Sequence, residues 1–155
     1  FASRVINGVN FVAIDDVYYN ITAEQHERMK REVERGFPIV MMCHVPLYTP
    51  EHCKVNLAQN QGKSAYMTGV PRHITDTYQQ DPNRPASEQW RNRSVQQRAD
   101  KPTLEFIAWL KEQPLLKAIL CGHTHEFYQE RFSPTAMQYT VAAGYSGCAY
   151  EIEFV

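Results

Sequence analysis

Two short apolar segments of this chain each end at a histidine. Residues 118–121 form one of them and are followed, after a glycine, by His123 and His125; residues 38–43 form the other and lead directly into His44. Apolar runs of this length are typical of buried strands. Ligands of α/β proteins bind beyond the carboxyl ends of the strands, so three imidazoles converge there if the two strands are neighbours. Because imidazole is the commonest neutral nitrogen ligand of zinc, iron and similar metals, the pattern indicates part of a metal-dependent site.

The first third of the chain has the pattern of a strand–helix–strand unit. Asn7-Gly8 is a hairpin signal and leads into an apolar run over residues 9–14. Thr22 precedes Gln25 by three residues, which is the spacing of a capping box, and predicts a helix over residues 23–35. A glycine then ends the helix and a second apolar run follows. Such units build parallel sheets, so the pattern predicts an α/β fold.

The rest of the chain divides into an irregular middle and a regular end. Residues 47–101 are rich in proline and polar residues, and we expect an insertion with short helices, for instance over 87–98, that lies over the strand ends. The alternative is a solvated loop. Aromatic and basic side chains of this segment are candidates for lining a substrate pocket: Tyr48, Tyr66, Tyr78, Trp90, Arg72, Arg91 and Arg93. Beyond this segment, apolar residues at helical spacing predict a helix over residues 103–113. Alternating or continuous apolar runs over residues 137–142 and 148–155 predict a terminal hairpin.

Composition excludes several classes of function. The 16 basic and 17 acidic side chains give a net charge of −1, so nothing indicates nucleic acid or an anionic membrane as a partner. No apolar run approaches the roughly 20 residues that a membrane-spanning helix needs. None of the four cysteines forms a C-x-x-C pair, and we interpret Cys43 and Cys121 as small buried hydrophobic residues. Because the chain begins at Phe1 without a methionine, we expect a piece of a longer protein.

In their order along the chain, four segments resemble the C-terminal half of the calcineurin-like metallophosphoesterase domain. Residues 11–15 are similar to its strand that ends in an acidic residue, and residues 22–25 to the start of its next helix. Residues 39–46 are similar to its penultimate motif, a strand followed by a histidine and a nearby proline. Residues 122–125, Gly-His-Thr-His, match its closing G-H-x-H. The family name therefore depends on an ordered set of motifs and not on one short pattern.

The resemblance implies an α/β sandwich of two mixed sheets with flanking helices, of which this chain, residues 1–155, supplies the C-terminal portion. Residues 47–101 would then be an insertion over the active-site edge. In that family the function is hydrolysis of a phosphoester at a dinuclear site with two divalent ions of the manganese, iron or zinc type. The resemblance implies that His44 and His123 bind one metal ion and that His125 binds the other.

The chain also departs from the family. The motifs D-x-H, G-D-x-x-D and G-N-H-[DE], which supply the remaining metal ligands there, do not occur in this sequence. We interpret Asp15-Asp16 as residues that form the turn and cap before the first helix. Three neutral histidines do not offset the charge of two adjacent dications, so we expect this chain to hold one metal ion or none and to be inactive alone. Without the strands of the first half, we also expect an exposed sheet surface that favours self-association.

Two other functions stay open at this point. Three histidines and a water form a mononuclear catalytic site in some zinc enzymes, and a truncated domain can bind a metal or a partner without catalysis. The number of bound ions, two, one or none, distinguishes the three hypotheses. The remaining histidines, His26, His52 and His73, are expected to have surface roles.

Overall fold

The centre of the molecule is a mixed six-stranded sheet. The computed structural model describes residues 1–89 and 97–153. The strands are β1 (Ala2–Ile6), β2 (Val9–Ala13), β3 (Ile39–Met42), β4 (Leu116–Cys121), β5 (Tyr128–Ser133) and β6 (Ala136–Thr140). Their order is β1-β2-β3-β4-β6-β5; β2, β3, β4 and β6 are parallel, and β1 and β5 are antiparallel edges. The predicted α/β class is confirmed, and the two strands that precede the histidines, β3 and β4, are direct neighbours.

Two of the four helices, at residues 23–34 and 101–111, lie within two residues of the bounds that the sequence predicts, and the other two lie in the segment 47–101, where only unspecified short helices were expected. They are α1 (Ala23–Glu34), α2 (Pro50–Gln59), α3 (Arg72–Thr75) and α4 (Lys101–Lys111), with short 3-10 turns at Ala86–Glu88 and Gly144–Ser146. The capping box of Thr22 and Gln25 is present at the start of α1, and Gly36 follows its end with φ +78°. None of the helices in the described ranges combines the length and the apolar character that a membrane span requires.

The two hairpins of the molecule differ in how well the sequence predicts them. At the first, Asn7 and Gly8 have φ of 49° and 82°, which a type I′ turn between β1 and β2 requires. The predicted terminal hairpin is wrong: residues 137–142 largely form β6, but β6 pairs with β5, and residues 148–153 contain no strand. As an edge strand, β5 exposes part of its polar side chains, so its sequence lacks the apolar alternation by which strands are recognised.

One face of the sheet carries the main core. Ile39, Met41 and Ile119 project from the two central strands and pack with Met29 of α1 and Phe106 of α4, and all five side chains are fully buried. Burying each of these side chains stabilises the fold by about 1.5–3 kcal/mol relative to exposure. The two helices and the central strands thereby form the main hydrophobic core.

The opposite face of the sheet is apolar and partly open. By strand alternation Phe11, Val40, Met42 and Leu120 point to this side, away from the α1–α4 core. Met42 remains 36% exposed, and Ile6 at the β1 edge remains 47% exposed. An open groove runs along this face and is lined by Ala2, Ser3, Arg4, Ile6, Phe11, Ala13 and Met42.

The segment 47–101 is ordered around a second, smaller core in its described part. Its buried members are Cys53, Ala65, Met67, Val70 and Tyr78. Two isolated bridges, Leu47 to Thr68 and Val70 to Arg98, hold the segment together. The alternative of a solvated loop is therefore wrong for residues 47–78. Of the helix expected over 87–98, residues 90–96 lie outside the described residues.

Candidate functional site

His44 and His123 meet at the carboxyl edge of the central strands. His44 follows β3 by two residues and His123 follows β4 by two residues. The backbone N–H of Gly122 donates to the His44 carbonyl at 3.0 Å, which ties the two loops together. The His123 Nδ1 and His44 Nε2 atoms are 3.1 Å apart, and their ring centroids are 4.9 Å apart. The structure therefore brings together two of the three predicted metal ligands.

Tyr19 and Tyr66 surround the His123 ring. The Tyr19 hydroxyl lies 2.7 Å from His123 Nε2, so both nitrogens of this imidazole have a partner. Tyr66 approaches the same ring at a centroid distance of 5.7 Å. Burial, and then the neighbouring imidazoles of His44 and His125, lower the pKa of His123 to about 4. At neutral pH the ring is therefore uncharged, which is the form that binds metals.

His125 lies beside this pair and has a different environment. Its side chain is exposed, and its Nδ1 atom lies 3.0 Å from the Tyr145 hydroxyl. The ring borders a cleft of about 350 Å³ whose lining is Asn60, Tyr66, His123, Thr124 and His125. The third predicted ligand thus shares a cleft with His123, while its Nδ1 atom contacts a tyrosine hydroxyl and not a histidine.

The donor set in the described residues is smaller than a complete metal centre. No group of three or more histidine, cysteine, aspartate or glutamate side chains within residues 1–89 and 97–153 is arranged to hold a metal ion. The His44–His123 pair fits two positions around one cation, because nitrogens that are each about 2.0–2.1 Å from a metal lie roughly 2.9–3.4 Å apart at usual ligand angles. Among the described residues, no third histidine, cysteine, aspartate or glutamate joins this pair to complete the ligands of such an ion.

Asp16 contacts the His44 loop, a contact that the sequence interpretation does not foresee. Asp15 does have the predicted turn role, since its carboxylate accepts the Val17 N–H at 3.1 Å. Asp16 instead is 2% exposed and accepts the backbone N–H groups of His44 and Val45, each at 3.0 Å. Burial, which outweighs these hydrogen bonds, raises its pKa to about 6. The sequence signal is an acidic residue shortly after β2, and it points to the His44 loop only once the parallel pairing of β2 with β3 is known.

Of the side chains proposed to line a substrate pocket, Tyr66 lines the cleft beside His123 and His125. Tyr78 does not, because it is 3% exposed and its hydroxyl accepts the Ala65 N–H at 3.1 Å inside the smaller core. Tyr48 packs against the same core, and Arg72 pairs with Asp76 on α3. Trp90, Arg91 and Arg93 lie outside the described residues. Asn60, at the end of α2, is a cleft residue that the sequence reasoning missed.

The expected surface role is wrong for His52. Its side chain is fully buried and stacks on Tyr128 with ring centroids 4.3 Å apart. The carboxylates of Glu126 and Glu130 lie 3.9 and 4.0 Å from its two ring nitrogens. Burial lowers the pKa of His52 to about 4.

The other two histidines, His26 and His73, differ in their exposure. His26 is half-buried and packs against Phe106 and Trp109 of α4, so the expectation of an exposed ring is wrong there too. His73 is exposed as expected. Both Cys43 and Cys121 are free thiols; Cys121 is buried as expected, and Cys43 is half-buried.

Two sequence comparisons with known proteins identify no relative of this chain. A scan against models of protein families finds no match to the chain, and a search of curated proteins finds none either.

Proposed function

We propose that this chain forms part of a metal-dependent phosphoester hydrolase of the calcineurin-like metallophosphoesterase type. The observation that carries the proposal is the His44–His123 pair, with nitrogens 3.1 Å apart at the carboxyl ends of adjacent parallel strands. The two residues belong to motifs that resemble the last two of that family. Ligand sites of open α/β sheets lie at this edge, so the placement and the motifs support the same function.

Hydrogen bonding around His123 supports a role as a metal ligand. A ligating histidine usually donates its second ring N–H to a fixed acceptor, which sets the tautomer. If Nδ1 faces the cation, Nε2 carries the proton and the Tyr19 hydroxyl, at 2.7 Å, is its acceptor. Tyr19 is therefore proposed as a positioning residue for His123. Asp16 has the same role for His44, because its carboxylate holds the His44 and Val45 amides.

The proposal assigns His44 and His123 to one cation and His125 to the other. When bound, the two ions would activate a water and stabilise charge at the phosphoryl oxygens. Among the described residues no carboxylate joins the histidines in a group of three or more metal ligands, since Asp16 is bound to the backbone amides of His44 and Val45, so the complete site needs further ligands. For this reason the 155-residue chain by itself is proposed to be inactive.

The open sheet face supports the same proposal. In a sandwich of two sheets the side of Phe11 and Met42 faces the second sheet, which explains an apolar surface on that side. In the chain by itself, this face and the unpaired β1 edge favour self-association. Sedimentation of the purified chain tests this: we expect dimers or larger assemblies, whereas a monomer at micromolar concentration would contradict it.

Metal titration tests the proposed function most directly. Isothermal titration with Mn²⁺ and Zn²⁺, and metal analysis of the purified chain, should show binding that His44→Ala or His123→Ala weakens at least a hundredfold, more than the 10–100-fold typical of losing an outer-shell partner. His73→Gln, at an exposed histidine, is the matched control and should bind as the original chain does. Binding that survives both alanine variants would overturn the proposed site.

Hydrolysis completes the test. We expect no metal-dependent turnover of p-nitrophenyl phosphate or its bis ester by the purified 155-residue chain. Turnover by the short chain that His123→Ala abolishes would show that it carries a sufficient site by itself. A single ion per chain with activity would favour the mononuclear hypothesis, and no ion would favour a non-catalytic module.

A further inference from the structure

Two adjoining clefts at the proposed active site have different linings. The first, the histidine cleft, is the one lined by Asn60, Tyr66, His123, Thr124 and His125. The second, the amide cleft, has about 250 Å³ and is lined by Gln59, Asn60, Gln61, Lys63 and Tyr66. Asn60 and Tyr66 belong to both, so the clefts form one continuous surface. The shared lining gives a ligand whose phosphoryl group lies at the histidines a path along the surface toward Lys63.

The amide cleft suits a polar, anionic group. Side-chain amides and one lysine supply hydrogen-bond donors, and neither cleft is lined by an aspartate or glutamate. Lys63 takes part in none of the salt bridges formed among the described residues. Its charge is therefore available to a ligand, and a long acyl chain would find little apolar surface here. Lys63 also lies three residues from Tyr66, which limits the distance between their Cα atoms to about 11 Å.

The backbone that presents Lys63 is firmly held. Between Lys63 and Tyr66, Ser64 and Ala65 are fully buried. The Ala65 N–H donates to the Tyr78 hydroxyl at 3.1 Å, and the Asn56 side chain donates to the Ala65 carbonyl at 2.8 Å. On the other side, the Lys63 N–H donates to the Asn60 carbonyl at 3.0 Å. The two half-buried side chains at the cleft thus project from an anchored segment, which lowers the entropic cost of binding.

We propose that the substrate is a phosphoester whose leaving group carries a second anionic group, and that Lys63 recognises this group. The inference rests on the proposed function, since the histidines must hold the phosphoryl end. The inference narrows the substrate class to small phosphoesters that carry an anionic group besides the phosphoryl group. It disfavours phospholipids with apolar tails. Lys63 is a specificity residue in this scheme, with no part in the chemical step.

A pair of esters that differ by one carboxylate provides the test. Binding of phenyl phosphate and of 4-carboxyphenyl phosphate to the Mn²⁺-loaded chain is measured by isothermal titration. We expect the carboxylated ester to bind about three- to tenfold more tightly, as one partly exposed charge pair allows. Lys63→Gln should reduce that ratio to about one and leave the affinity for phenyl phosphate unchanged, and Lys63→Arg should retain the ratio. Lys54→Gln, an exposed lysine on α2 that pairs with Glu51, is the matched control and should also retain it.

The outcomes separate the two proposals. Equal affinity for both esters, or a preference that survives Lys63→Gln, would overturn the inference while metal-dependent binding of phenyl phosphate leaves the proposed function in place. A chain that binds no metal and neither ester would overturn the proposed function and the substrate assignment with it. A loss of both affinities in Lys63→Gln alone would show that Lys63 holds the phosphoryl group, which also contradicts the inference.

Discussion

The molecule contains two histidine clusters in opposite surroundings. The open cluster, His44, His123 and Tyr19, lies at the edge of the sheet with His44 exposed. The closed cluster, His52, Tyr128, Glu126 and Glu130, has its histidine fully buried. Burial lowers the pKa of His52 and of His123 to about 4 in both cases. A lowered pKa therefore does not identify a candidate ligand in this protein, and the geometry of the ring nitrogens does.

The nitrogens of the two clusters differ in their partners. Those of His123 face a tyrosine hydroxyl and an imidazole at 2.7 and 3.1 Å. Those of His52 have no hydrogen-bond partner among the described residues, and the nearest carboxylate oxygens are 3.9 and 4.0 Å away. The ring of His123 thus makes polar contacts through both nitrogens, whereas the contact of His52 is the stacking on Tyr128. Four predictions test this division.

The largest expected effect is on the free energy of unfolding when each ring is removed. His52→Ala should destabilise the chain by about 3 kcal/mol, because a fully buried ring leaves a cavity. His123→Ala should cost less than about 1 kcal/mol, because its ring is half-exposed and lines a cleft. Urea unfolding monitored by circular dichroism measures both values. Equal costs for the two variants would remove the distinction between the clusters.

The pH dependence of stability gives the next largest effect. The folded-state pKa of His52, about 4, lies below its ordinary value of 6.5, so folding keeps the ring neutral. Its contribution to stability is complete above pH 6.5 and is lost as pH falls toward 4, by up to about 3 kcal/mol. Asp16, whose pKa is raised to about 6, changes stability in the opposite direction over the same range.

The titration of His52 is therefore measured as a difference. The original chain and His52→Phe, which keeps an aromatic ring against Tyr128, are unfolded in urea at pH 7 and pH 4.5. The phenylalanine variant should lose less stability on acidification. Identical losses would mean that the two carboxylates compensate the charge on His52.

Removing the Asp16 carboxylate should have an intermediate effect. It should lower both the free energy of unfolding and the metal affinity of the open cluster. Asp16→Ala leaves the buried Val45 amide and the His44 amide without their acceptor, at a cost of about 1–3 kcal/mol. It should also weaken Mn²⁺ binding, because the His44 loop loses its support. Asp16→Asn keeps one acceptor oxygen and should restore part of both. Calorimetric binding unaffected by Asp16→Ala would restrict Asp16 to folding.

The smallest effect concerns the hydroxyl of Tyr19. Tyr19→Phe removes the acceptor for His123 Nε2 and should reduce metal affinity about tenfold, as the loss of an outer-shell partner does. Stability at pH 7 should change by less than about 1 kcal/mol. Tyr18→Phe, at the exposed neighbouring tyrosine, is the matched control and should bind metal normally. Equal affinities for all three proteins would assign Tyr19 to packing alone.

The elements that the sequence predicts well are those whose pattern and burial agree. β3, β4 and α1 have continuous apolar runs or a cap, and the contact between His44 and His123 follows from the pairing of the two strands. Helix α2 is different: His52 and Asn56, four residues apart, are both fully buried and polar. A buried side made of such residues leaves no hydrophobic period to detect. The sequence therefore predicts neither the closed cluster nor the cleft residue Asn60, because the helix that carries His52 and ends just before Asn60 is not recognised from it.

The edge strand β5 was missed for a related reason, since an exposed strand has little apolar alternation. The role of Asp16 depends on a hydrogen bond between residues 28 positions apart in the chain, which local patterns do not contain. The strand-then-histidine pattern alone singled out the three histidines, and the resemblance added the assignment of His44 and His123 to one ion and of His125 to another. The pattern alone left the alternatives of one metal, two metals or none.

The backbone around the open cluster adopts left-handed conformations at several non-glycine residues. Of the six non-glycine residues with left-handed φ in the described ranges, Tyr19, Tyr66, His123 and His125 border the cluster or its cleft, with φ between 51° and 68°. Each such residue costs on the order of 1 kcal/mol or more relative to a relaxed backbone. Selection for thermal stability alone would therefore replace these residues with glycine or asparagine and lose the imidazoles and phenols. A thermostabilised variant of this protein is best sought elsewhere, in the helices and the smaller core, with these four positions held constant.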